Sequence, residues 1–138
     1  MVNVREFKRA CITSARLTEG RLIEFRLADD VTPNFHQGLV AYHDHTVAVV
    51  CPRDLAVLAV SKPRTIAFVD GARESGPLIF VDVPALAAAL AEQPGFEVLA
   101  ASELNGPLDA ASWPGVSAAD ITYWGPVTLG EALFNYWD

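Results

Sequence analysis

Several things are missing from this sequence. No run of about eighteen apolar residues occurs, so no membrane-spanning helix is expected. The opening residues, MVNVREFKRAC, lack the apolar centre and small-residue cleavage site of a secretory signal, and the expected compartment is the cytoplasm. The only cysteines are Cys11 and Cys51, too few for a disulfide framework in 138 residues, and two buried thiols are expected. P-loop, G-x-G-x-x-G, G-x-S-x-G and H-E-x-x-H patterns are all absent. That weakens the case for an enzyme without closing it, because sites also assemble from distant residues.

The most telling scarcity is of cations in the second half. Every Lys, Arg and His lies between Arg5 and Arg73, whereas Glu74 onward holds nine acids and no base, within a formal net charge of −7. Such asymmetry bears on partners rather than on fold. Phosphate would be repelled, so nucleic-acid binding is not expected unless the N-terminal cations gather on one face. Either the halves pack together and their charges partly neutralise, or an acidic face is kept for a basic partner.

What is present supports a sizeable core, since 51% of the residues are hydrophobic. Phe7 to Leu17 reads as a strand with imperfect alternation. Thr18-Glu19-Gly20, with glycine as the left-handed residue, then joins it as a hairpin to Arg21–Ala28. Asp29 to Gly38 reads as loop. Leu39 to Val50 is a second β region, with Asp44 either at its turn or within one long strand, and Cys51-Pro52-Arg53-Asp54 breaks it. Leu55 to Val60 fits a helical turn and a strand equally well.

Thr65 to Asp70 and Leu78 to Val83 read as strands joined by the polar stretch Gly71–Gly76. Pro84 to Gln93 is a helix with proline in its first turn, stopped by Pro94-Gly95. Phe96 to Ala101 is one further strand. Ser102 to Ala119 is a long connection with a short helix near Glu103, and Trp113 argues that it is packed. The whole is expected to be a single α+β domain: a largely antiparallel sheet of five to seven strands, two or three helices, and a C-terminal helix closing the core.

That last helix is the best-marked element. Thr128 and Glu131 have capping-box spacing, and Leu129, Ala132, Leu133, Tyr136 and Trp137 form one apolar stripe. Phe134 falls off the stripe, either in a second packing layer or, with Trp124 or Trp113, in an exposed aromatic patch. Asp138 sits at the negative end of the helix dipole and wants a cation, its own or a partner's.

Two polar groupings could carry chemistry. His43 and His45 would project from one face of an extended strand as a pair of metal ligands, but no further ligand lies at a familiar spacing, and a hairpin apex accounts for the same residues. Cys51 before Pro52 and Arg53 would be an activated thiol if it capped a helix, and an inert core thiol otherwise. No cofactor is expected.

The resulting expectation is a non-catalytic interaction module that engages a basic protein through Asp120, Trp124, Glu131, Phe134 and Asp138. Its charge logic is that of immunity- or antitoxin-like neutralisers, an analogy of composition alone. The alternatives are a small-molecule or metal site at His43 and His45, and self-association through Phe134 and the nearby tryptophans.

Overall fold

Asn3 starts the first helix by accepting the Glu6 N–H on its side chain at 3.2 Å. The helix, α1 (Val4–Leu17), buries Phe7, Ala10, Cys11, Ser14 and Ala15, spaced i, i+3, i+4, i+7 and i+8. The strand expected over Phe7–Leu17 is therefore a helix. Its buried stripe is mostly small and weakly apolar, so a few alternating positions imitated a strand. The expected hairpin falls with it. Glu19 takes the left-handed conformation at φ 60°, and the Gly20 N–H reaches back to the Ala15 carbonyl at 2.8 Å, closing a Schellman motif. Gly20 is required for space instead, since a Cβ there would come within 2.8 Å of both Tyr42 and Val40 side chains.

The computed structural model describes residues 1–28, 33–63 and 78–135. After α1 come β1 (Arg21–Arg26), β2 (Phe35–Ala41), β3 (Thr46–Pro52) and β4 (Val57–Ser61), each antiparallel to the one before. Residues 43 and 44 form the bend between β2 and β3, so Asp44 is at a turn. Leu55–Val60 resolves in favour of strand from Val57 onward. Next are α2 (Pro84–Ala91) and β5 (Glu97–Val98), which adds parallel to β4. The remainder is α3 (Ala101–Leu104), a 3₁₀ turn at Ala110–Ser112, α4 (Ala118–Trp124) and α5 (Leu129–Leu133). The protein is thus α+β, and the described residues form one five-stranded sheet in the order β1-β2-β3-β4-β5.

Other expectations are adjusted in detail. Thr65–Asp70 and Gly71–Gly76 lie outside the described residues. Phe80 makes an isolated bridge to Ser61 where a strand over Leu78–Val83 was expected, and β5 is only two residues long. Among the described residues there are five α-helices, more than two or three, because the connection after Ser102 is itself partly helical.

Strict alternation in β3 and β4 divides the core. Val47, Val49, Cys51, Leu58 and Val60 meet Phe7, Cys11 and Ala15 of α1 and Leu86 and Leu90 of α2. Ala48, Val50, Val57 and Ala59, on the opposite face, meet Leu104, Leu129, Leu133 and Phe134. The N-terminal helices and the C-terminal segment therefore cover opposite faces of one sheet.

Thr128 caps α5 by accepting the Glu131 N–H at 3.1 Å, while the Glu131 carboxylate takes the Val127 N–H at 3.1 Å, one residue earlier than a regular box would place it. The helix stops at Leu133. Phe134 is extended, so the expected helix does not continue through it, and Tyr136, Trp137 and Asp138 lie outside the described residues.

Candidate interaction surface

Ser117 and Gly125 delimit α4. Ser117 accepts the Asp120 N–H at 3.4 Å, and Gly125, at φ 58°, takes the left-handed position that a side chain would resist. Asp120, Tyr123 and Trp124, at i, i+3 and i+4, share one side of this helix. Tyr123 and Trp124 meet edge to face with ring centroids 4.9 Å apart. Tyr123 is 78% exposed and Trp124 38%, and Val127 beyond the turn is 74% exposed. Exposed apolar side chains often mark an interaction surface where they form a contiguous patch.

Asp120 also lines a cleft of about 300 Å³ that separates α4 and Gly115–Ser117 from the β3–β4 turn at Arg53 and Asp54. Asn34, Leu133 and Asn135 complete the floor. Asp120 thus stands between an exposed aromatic pair and a concave space with a second carboxylate, Asp54, at its rim.

The residues expected at a partner surface part company here. Trp124 and Asp120 lie together on α4. Glu131 is only partly exposed and spends its carboxylate on the Val127 N–H. Phe134 is 2% exposed and packs against Phe35 and Phe80 with ring centroids 6.1 and 5.6 Å away, so it belongs to the core. Its off-stripe position is reconciled by the helix ending before it: an extended residue no longer follows the helical period. Asp138 lies outside the described residues. Tyr123 and Val127 were not singled out from the sequence, although the Ser117-x-x-Asp120 cap and Gly125 were signals that a helix would display them.

His43 and His45 are exposed at the β2–β3 bend. The His45 Nδ1 lies 2.6 Å from the Asp44 carboxylate, and its ring stacks on Tyr42 at 5.2 Å. That hydrogen bond, more than the imidazole's charge, holds the Asp44 carboxyl below its usual range. Among the described residues, no three His, Cys, Asp or Glu side chains come together as a metal set. Cys51 is in β3 and is no helix cap. It is fully buried, and desolvation pushes its thiol up to about 12, the opposite of an activated nucleophile.

Charge is also segregated by face. On α1 the buried stripe turns inward, and Arg5, Arg9 and Arg16 are exposed on the other side, with Lys8 partly exposed over the Phe25 ring. The N-terminal cations do therefore gather on a helix. Across the sheet, the C-terminal segment from Ala101 to Asn135 carries Glu103, Asp109, Asp120 and Glu131 and no cation. Among the described residues, the ion pairs are Arg26–Glu24, His45–Asp44 and Arg53–Asp54, all between near neighbours in the N-terminal half.

No known family model, curated protein or solved structure matches this chain. No helix among the described residues is long and apolar enough to cross a membrane. Function is therefore read from the surface itself.

Proposed function

We propose that this protein is a non-catalytic interaction module, acting in the cytoplasm, whose C-terminal face engages a basic protein. The reading is carried by one observation: Tyr123 and Trp124 stand exposed beside Asp120 on α4, in a segment without a single cation. Aromatic side chains supply large contact area at low entropic cost, and they take Lys or Arg over their ring faces. At the adjoining cleft the Asp120 carboxylate would receive a second cationic side chain, since Asp54 across it is already paired with Arg53. Like charge would repel acidic competitors, the arrangement expected of an immunity- or antitoxin-like neutraliser. Glu131 contributes field without direct contact, since it caps its own helix.

The test begins with native mass spectrometry of the untagged protein from its own cells, beside Asp120→Lys and Tyr123→Ala versions expressed there. A companion polypeptide of basic composition is expected on the wild type and lost from both variants. A companion retained equally by both, or binding insensitive to added salt, would overturn the proposal. A homodimer lost with Tyr123→Ala would replace it by self-association.

A further inference from the structure

The outer edge of β4 is shared between two segments. Val57 and Leu58 pair in parallel with β5, while Ser61 bridges Phe80 in the antiparallel sense. Between them the neighbouring chains part. One runs through Asp82 into α2 on the α1 side of the sheet, and the other leaves β5 for α3 on the opposite side. A crevice opens where these two segments part along the edge of β4.

That crevice is a groove of about 500 Å³, within the range of small-molecule sites. Its walls are apolar: Val60 from β4, Val98 from β5, and the methyl groups of Ala87 and Ala91, four apart on α2. The alanines explain the space, because a longer side chain at either position would fill it. At the mouth stand Asp82 and Glu103. One oxygen of Asp82 accepts the Ala101 N–H and one of Glu103 accepts the Ala100 N–H, both at 3.1 Å, which holds each carboxylate in place. Among the described residues, the second oxygen of each accepts no hydrogen bond, and no cation lines the groove.

We infer that this groove binds an organic ammonium ion: a primary amine, protonated at neutral pH, carried on an aliphatic or aromatic body. The body lies against Val60, Ala87, Ala91 and Val98, and the ammonium donates to the free oxygens of Asp82 and Glu103. An anion of the same shape is rejected by the two carboxylates, and a neutral one leaves them without a donor. The site is separate from the α4 surface and stands whether or not a protein partner is found there.

The full chain, labelled with ¹⁵N, is titrated with phenethylammonium, 2-phenylethanol and phenylacetate, three probes of similar body and different charge. Saturable amide shifts at Val60, Ala87 and Val98 are expected for the ammonium, with affinity about tenfold above that of the alcohol, the scale of one charge-assisted hydrogen bond. No saturable shift is expected with the carboxylate. Glu103→Gln retains a side chain able to cap α3 and is expected to weaken the ammonium several-fold while leaving the alcohol unchanged. Ala87→Phe is expected to abolish the shifts, and Ala91→Leu serves the same purpose if the larger residue disturbs folding. Equal affinity for ammonium and alcohol, shifts confined to other surfaces, or binding indifferent to Glu103→Gln and to both alanine substitutions would each overturn the assignment.

Discussion

Asn34 and Asn135, 101 positions apart, bind one another twice: the Asn34 N–H donates to the Asn135 carbonyl at 3.0 Å, and the Asn135 N–H donates to the Asn34 side-chain oxygen at 2.8 Å. The Asn34 amide also donates to the Leu133 carbonyl at 3.1 Å. One side chain at the entry to β2 therefore satisfies the backbone just beyond α5, where helical partners have run out. Asn34→Ala should cost about 1–3 kcal/mol, because it strands a part-buried donor and acceptor together. Urea unfolding gives the loss, and amide exchange at residues 133–135 should rise by more than the global change. Exchange unaltered there would mean that the chain end is held by other contacts.

Gly38 sits in the middle of β2, under α1. A Cβ there would lie 3.0 Å from the Cys11 sulfur and 3.2 Å from the Phe25 ring. Gly38→Ala gains at most about 1 kcal/mol from reduced freedom of the unfolded chain, and overpacking of about 1–3 kcal/mol outweighs it. Removing the sulfur with Cys11→Ala should relieve part of the clash. The double variant is therefore expected to be more stable than the sum of the two single effects allows. Additive single effects would place the strain elsewhere.

Both cysteines should be silent in the native protein. Burial raises the Cys11 thiol, with Cys51 adding to the effect, and burial pushes Cys51 up to about 12. A thiol reagent at pH 8 should label neither until urea exposes them. Since both folded-state values are raised, their contribution to stability is intact below the unfolded-state value near 9 and is lost as pH climbs towards 12. Each thiol adds a slope of about −1.4 kcal/mol per pH unit in that window. Cys51→Ala should be visibly less alkali-sensitive than the wild type; equal slopes would contradict burial of this thiol.

His36 responds in the other direction. Its Nδ1 accepts the Ala28 N–H at 2.9 Å, its ring lies against Phe7, and it is buried. Burial, and secondarily Arg53, holds its pKa below the ordinary 6.5. With the folded value depressed, the unfolded chain binds the proton first, so stability present above about pH 6.5 falls as pH drops below it. The His36 ring resonances should titrate below the ordinary imidazole value of about 6.5. His36→Gln should flatten the fall in urea midpoint between pH 7 and pH 5; a fall equal to wild type would assign it to other groups.

Legibility in the sequence followed the strength of local signals. The β region over Leu39–Val50 was legible from its β-branched composition and the α2 helix from Pro84 and Gly95, whereas Leu55–Val60, a continuous apolar run buried on both faces from Val57 onward, fitted helix and strand equally until its pairing with β3 was known. Thr128 and Glu131 marked the start of α5 correctly. The first helix was lost because Ala10, Ser14 and Ala15 are too small to register as an apolar stripe, although Asn3 and Glu6 held its capping signal in plain view. α4 was lost for a related reason: the glycines and prolines around it suggested a loop, while Ser117 and Gly125 were its two ends. Phe134 could not be placed from periodicity, because its burial depends on the helix having already stopped. The crevice beside Val60 was beyond sequence reading altogether, since it arises from two chain segments parting on the same strand edge.

The segregation of charge across the sheet has a kinetic consequence. Arg5, Arg9 and Arg16 are exposed on α1, with Glu6 beside them, whereas Asp109 and Asp120 are exposed on the opposite layer with no cation among the described residues there, so the two layers present different fields. In the field of an approaching charged body such a molecule experiences a torque as well as a pull. It turns while still separated, and the rotational search that ordinarily wastes most encounters is shortened before any two side chains touch.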